Sequence, residues 1–357
     1  MEKLIKMPSI GQFRNAVHDL QHQVRFVGVD EAGEAIYDKG IQYPTVAFKG
    51  TCKIHGTNAS YCLDIDGNDW FQSKGNVLSI EKDNAGFCFF GTARKEEFTR
   101  MACDLVLKIG ELEVGERTVT LYGEFCGGNI QKGVAVSGLD KMFVLFGAKL
   151  SHANVEDGAA EWVDISTIEC DHSKNIYNIN DFPTWKIAVN LAEPAEAQNT
   201  LINLTEEVER ICPIGAFFGR TDPESEDYNT IGEGIVWECS FNGSTVRFKV
   251  KGEKHSSSKV KKLASVDPEK MANIKEFVEY SVTENRLNQG VEQVFAGGPA
   301  IIGGTGDFVK WVKGDVIKEE LDTMVASGLE MREVAGPISK KAANWFKEYL
   351  NKQSGLI

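Results

Sequence analysis

The sequence predicts an α+β protein, hairpin-rich antiparallel sheets flanked by helices from 46 to 251, followed by an all-helical region after about residue 263. Three observations predict it. Short apolar runs with period-two alternation, separated by turn residues, recur between 46 and 251, which is the pattern of half-buried strands. Two stretches inside that span repeat apolar residues at helical spacing instead. After about 263 the strand signals stop, and a Pro at a helix start opens a series of amphipathic runs.

In chain order, residues 1–45 read as an N-terminal extension with a short helix, Ile10 to His22, and a polar loop, Asp30 to Lys39. Strands follow at 46–54, 59–65 and 70–74, the last two joined through Asp66-Gly67-Asn68. The acidic run from Asp64 to Asp69 lacks the later spacing of a calcium loop and reads as a hairpin. Phe98, Met101, Leu105 and Ile109 mark a core-facing helix, and Leu201, Leu204, Val208 and Ile211 a second. Strands are expected at 118–125, 142–146, 234–238 and 244–251. Beyond Asp267-Pro268-Glu269, a capping Asp with Pro in the first turn, Met271, Ile274, Val278 and Val282 form a helix. Two more are expected at 307–326 and 337–351, the latter packing Ala342, Trp345, Phe346 and Tyr349. The glycine-rich link from Ala296 to Gly306 contains no Gly-Lys-Ser/Thr, which excludes a P-loop. The domains are taken as 1–262 and 263–357.

Composition narrows the class. No stretch of 18 apolar residues exists, so no membrane-spanning helix is expected. The N-terminus is too short and broken for a signal peptide. Eight cysteines without a Cys-x-x-Cys pair argue against a zinc ribbon or disulfide framework and point to a reducing cytoplasm. A net charge of −13 argues against indiscriminate nucleic-acid binding. Against it stands one basic run, Arg247 to His255 with Lys254, continued by Lys259, Lys261 and Lys262.

The candidate chemistry lies in charged residues set into apolar strands: Lys53, Glu124, Glu233, Lys249 and Lys251. A lone buried charge is costly, so such groups are paired, metal-bound or functional. Alternation puts Lys53 with Lys49 and Thr51 on one face of its strand, and Lys249 with Lys251 on one face of another. Two adjacent ammonium groups invite an anion, and a phosphate suits them. They are also expected to depress the pKa of a neighbouring Lys53, freeing its amine for attack. Attack by Lys53 on a nucleotide α-phosphate, with the glutamates on Mg²⁺ or the ribose, accounts for all five.

The motifs then resemble the covalent nucleotidyltransferase superfamily, and within it the nick-sealing RNA ligases of the phage RNA ligase 2 type, over roughly residues 46–262. The resemblance rests on Lys53-Ile54-His55-Gly56-Thr57-Asn58, Ser73-Lys74-Gly75-Asn76, Tyr122-Gly123-Glu124-Phe125, Val144-Leu145-Phe146-Gly147, Glu233-Gly234-Ile235-Val236-Trp237 and Phe248-Lys249-Val250-Lys251, in that order. It implies an ATP-grasp-like adenylation domain and a helical C-terminal domain. By resemblance, Lys53 is the adenylylated nucleophile, assisted by Lys249, Lys251 and Lys74; the family usually has arginine where Lys74 stands. Cys52, Ile54, His55, Asn58, Glu124, Phe146 and Val236 would contact the nucleotide, with Phe146 stacking on adenine. Many relatives have Asp where Gly147 stands. Glu233 and Glu124 would serve the metal. Lys254, Lys259, Lys261, Lys262, Asn285 and Arg286 would engage nucleic acid. The cofactors implied are ATP and Mg²⁺, or Mn²⁺; the partner is nicked duplex RNA or an RNA/DNA hybrid, with no membrane. A cytoplasmic monomer is expected, in the host cytoplasm if the chain is viral. The alternatives are a DNA-preferring ligase of the same superfamily, a capping guanylyltransferase, or a non-catalytic nucleic-acid-binding relative.

Overall fold

The computed structural model describes residues 4–31, 33–83, 85–110, 117–152, 161–255, 274–296, 298–326 and 329–353. The chain divides into two units, Met1–Gly252 and Glu253–Ile357. It is mixed α and β, with antiparallel sheets in the first unit and helices in the second. Among the described residues no helix is long and apolar enough to cross a membrane.

The first unit opens with helix α1 (Phe13–Arg25), three residues later than expected at each end, and a small hairpin, β1 (Phe26–Val29) and β2 (Ala35–Tyr37), within the segment read as a loop. Strands β3 (Thr45–Lys53), β4 (Thr57–Leu63) and β5 (Asp69–Ser73) follow, then helices α2 (Phe87–Thr92) and α3 (Lys95–Ile109). Next come β6 (Arg117–Cys126), β7 (Met142–His152), β8 (Glu161–Val163), β9 (Ile176–Asn178) and β10 (Trp185–Asn190). Helices α4 (Gln198–Arg210) and α5 (Pro213–Phe217) precede the hairpin of β11 (Gly234–Phe241) and β12 (Ser244–Lys251).

These strands form two main sheets. One has four strands in the order β10-β3-β11-β12; the other runs β5-β4-β6-β7-β8, with the short β9 beside β7. All pairings are antiparallel except β7 with β9. The alternation in β3 is realised as predicted: Val46, Phe48, Gly50 and Cys52 are buried, while Thr51 and Lys53 are half-exposed. On its core side the four-stranded sheet packs against α1, through Phe13, Phe48, Trp237 and Phe248. Gly50 is required there, since a Cβ would lie 2.7 Å from the Trp237 ring. The six-stranded sheet packs one face on α2 and α3 through Tyr61, Phe71, Phe87, Phe98, Phe125 and Phe143. The acidic run at Asp64 is a hairpin turn, its carboxylate accepting from the Asn68 amide at 2.7 Å.

The second unit contains α6 (Ile274–Ser281), α7 (Glu284–Phe295), α8 (Thr305–Ala326) and α9 (Met331–Gln353). Phe277, Val282, Leu287, Phe308, Val312, Ile338, Ala342 and Phe346 form its buried core. Trp345 and Tyr349 pack on that core, as their spacing suggested. The Asp267-Pro268 helix start and Met271 lie outside the described residues, as do Lys259, Lys261 and Lys262.

Candidate active site

Lys53 is the last residue of β3, and register brings it to the other lysines. Lys53 stands opposite Gly234 of β11, which in turn stands opposite Lys251 of β12. One step away, Thr51, Val236 and Lys249 line up in the same manner. Gly234 puts no side chain between the two ammonium groups, and its φ of +147° suits glycine. A Cβ there would meet the Val250 carbonyl at 2.1 Å.

Glu233 closes the group. Its Oε2 accepts from Lys53 Nζ at 2.7 Å and lies 3.3 Å from His55 Nδ1, while Oε1 accepts from Lys251 Nζ at 3.1 Å. The Glu233 side chain is only 2% exposed, against 20% for Lys53 and 23% for Lys251. Its segment is tied on both sides: the Gly252 amide donates to the Glu233 carbonyl, and Gly232 to the Glu209 carbonyl.

Glu124 enters from the second sheet, where it pairs with Asn58. Its Oε1 accepts from the Gly56 amide at 3.0 Å. Gly56 matters here for close approach: a Cβ would fall 2.4 Å from the Phe125 carbonyl.

The electrostatics are set by opposing effects. Burial favours a neutral Lys53 amine, but Glu233 and Glu124 outweigh it and the ammonium pKa ends above its ordinary value. The expected depression of Lys53 is therefore corrected: Glu233 stands between Lys53 and Lys251 and cancels the repulsion. Burial would raise Glu233, yet Lys53, Lys251 and His55 hold it well below the usual carboxylate range. Burial dominates at Glu124 and pushes it up to about 7, against the pull of Lys53.

The other predicted site residues divide. His55 and Glu124 join the Lys53 cluster; Asn58 and Val236 share strand faces with Glu124 and Lys53 respectively. Phe146 occupies the irregularity where the β6–β7 register shifts, a position that re-aims a side chain. Cys52 and Ile54 turn their side chains into the core, where Cys52 hydrogen-bonds Cys212, so contact from either to a nucleotide is limited to the main chain. Lys74 is exposed at a turn closed by Ser73 and Asn76, and makes no ion pair with the cluster. Lys254 is exposed, and Asn285 donates to the Glu253 carbonyl.

Arg286 is a clear correction. It is fully buried, bonded to Asp315 at 2.9 Å, Glu320 at 3.3 Å and the Ser281 carbonyl. Its guanidinium holds the helical core together and is not available to nucleic acid.

Sequence reading missed the role of the extension. The Gln72 side chain accepts from the Ile5 amide at 3.0 Å and donates to its carbonyl at 2.5 Å, which also accepts from the Tyr122 hydroxyl at 3.4 Å. Asn58 Nδ2 contacts Met7 Sδ at 3.0 Å, leaving Asn58 Oδ1 buried without a partner. Residues 5–7 thus lie across the face of the second sheet that carries Glu124, and no periodicity in the sequence announces it. Two cavities, about 390 Å³ beside His22 and Tyr37 and about 370 Å³ beside Thr45 and Lys186, contain none of the cluster.

No protein-family model matches the chain, and no curated protein matches it. Among solved structures it is similar to a Naegleria gruberi RNA ligase with pyrophosphate, at 13% identity and a TM-score of 0.40. Mutants of that ligase with ATP and manganese (14%, TM-score 0.39) and with AMP and manganese (14%, TM-score 0.40) are similar to the same degree. These matches cover 71% of this chain and 57%, 58% and 57% of the ligase chains, so this chain spans less than two thirds of their length. A likeness of this extent says nothing of this chain's chemistry, which has to come from the site.

Proposed function

We propose that the chain is an ATP-dependent polynucleotide ligase that seals 3′-hydroxyl/5′-phosphate nicks in RNA or RNA-containing duplexes through an AMP carried on Lys53. One observation carries this reading: the amine of Lys53, the carboxylate of Glu233 and the ammonium of Lys251 converge across Gly234, with Glu124 reaching the same turn from the opposite sheet. In the first step Lys53 Nζ, 20% exposed, loses a proton to solvent and bonds to the α-phosphorus, and the bond from that phosphorus to pyrophosphate breaks. Transfer of AMP to a 5′-phosphate regenerates the amine; attack by a 3′-hydroxyl then expels AMP and joins the strands. Lys249 and Lys251 would neutralise charge on the phosphate. Glu124 is suited to the ribose hydroxyls.

Glu233 and Glu124 supply the carboxylate oxygens that hard cations such as Mg²⁺ or Mn²⁺ prefer. Among the described residues no group of three or more potential ligands exists, so substrate phosphates would complete the set. When bound, the ion would offset charge on the phosphates. The substrate duplex would meet basic groups such as Lys254, and its binding is expected to weaken as salt rises.

The test is incubation with α-labelled ATP or GTP and Mg²⁺, followed by denaturation. Acid-labile label from ATP, absent in Lys53→Ala, is expected; normal labelling of that variant overturns the assignment. Labelling from GTP alone indicates capping chemistry, and no label leaves a binding protein. Sealing assays with RNA or DNA on each side of the nick then decide the sugar preference.

A further inference from the structure

The proposed chemistry makes no use of Trp162 on β8. Its indole is nonetheless held on several sides. The Arg247 guanidinium lies 3.5 Å from the ring centre, while Arg247 Nε donates to Glu238 Oε2 at 2.5 Å. Lys149 pairs with Trp162 across β7 and β8, its Nζ 5.7 Å from the ring, and the Tyr122 ring lies 5.6 Å away. Gly147 provides the room: a Cβ at 147 would approach the Trp162 ring to 2.9 Å.

The stack joins the two sheets. Arg247 is on the same strand face as Lys249 and Lys251, and Trp162 packs over the residue directly after Phe146. We propose that the Trp162–Arg247 stack is a positioning element for nucleotide binding, fixing the spacing between the strand that carries the phosphate-facing lysines and the strand that carries Phe146. This rests on the nucleotidyl-transfer reading above. Trp162 acts by holding strands in place, so its loss should weaken nucleotide binding while leaving the reaction at Lys53 intact once ATP is bound. A partly desolvated cation–π contact is of the size that changes binding about tenfold.

The experiment measures Lys53 labelling against ATP concentration in the full chain. Trp162→Ala and Arg247→Met are expected to raise the half-saturating ATP about tenfold with the maximal rate within about twofold, and Trp162→Phe to restore most of the loss. Gly147→Ala should impair binding in the native background and add nothing in Trp162→Ala, since the ring it strikes is gone. Melting curves confirm that each variant is folded; should Trp162→Ala not fold, the comparison of Trp162→Phe with Gly147→Ala carries the test. Unchanged ATP dependence in the Trp162 and Arg247 variants, or full additivity of Gly147→Ala with Trp162→Ala, overturns the inference while leaving labelling itself in place. Absence of label on the native chain overturns the nucleotidyl-transfer reading and this inference with it.

Discussion

Replacing Glu233 by Gln tests the charge arrangement most directly, because one carboxylate serves three partners. Its side chain is 2% exposed, and Lys53 at 2.7 Å and Lys251 at 3.1 Å depend on it. Removing one member of a buried ion pair costs about 3–5 kcal/mol, because the remaining charge is left unpaired. The two ammonium groups are about one-fifth exposed, so water recovers part of that, and the lower end, about 3 kcal/mol, applies. For a unit of this size that corresponds to a fall in Tm of roughly 6–12 °C. The pH dependence has a definite sign. The folded Glu233 pKa is depressed, so its stabilisation is present above the ordinary carboxylate value and lost as pH falls through the folded one. The gap between native protein and variant should therefore be full at neutral pH and close in acid. The same change acts oppositely on Lys53: attraction to Glu233 is gone, while burial, which favours the neutral amine, remains. Single-turnover labelling should accordingly begin at lower pH in the variant, though with a lower ceiling. Denaturant melts from pH 3 to 8 and a pH series of labelling rates are the assays. Equal stability at pH 7 with an unmoved labelling profile would refute Glu233 as the counter-ion of Lys53.

Two further predictions concern other carboxylate and guanidinium groups. Glu124 is raised to about 7 by burial, so its contribution favours the fold below its ordinary value and is lost as pH rises through about 7. Glu124→Gln should match the native protein in acid and exceed it above neutrality, by at most about 3 kcal/mol, in urea melts; parallel curves at every pH count against this. Arg286→Ala should destabilise the helical unit by about 3–5 kcal/mol, since Asp315 and the buried Glu320 lose their cation. A folded Arg286→Ala of native stability, binding duplex with a shallower salt dependence, would return this residue to the nucleic-acid surface.

Much of the fold was legible because strand and helix periodicities are local. Alternation in 46–54 and 244–251 placed Lys53, Lys249 and Lys251 on the correct strand faces, and Phe98, Met101 and Leu105 marked the buried side of α3. The resemblance also misleads: Arg286, which it assigned to nucleic acid, is the polar centre of a helical core. Its acidic partners lie 29 and 34 residues away, beyond any helical repeat.

The order of charged residues in apolar strands, set by the sequence alone, marks which side chains carry the candidate chemistry and which face each one occupies. Only the tertiary structure decided that Lys53 and Lys251 flank Gly234, that Glu233 lies between them, and that Lys53 is consequently held protonated. The reason is physical: a periodic pattern specifies a face, whereas the sign of a pKa shift is the balance of burial against charges only a few ångströms away. Those separations are set by pairing between strands 180 or more residues apart in the chain.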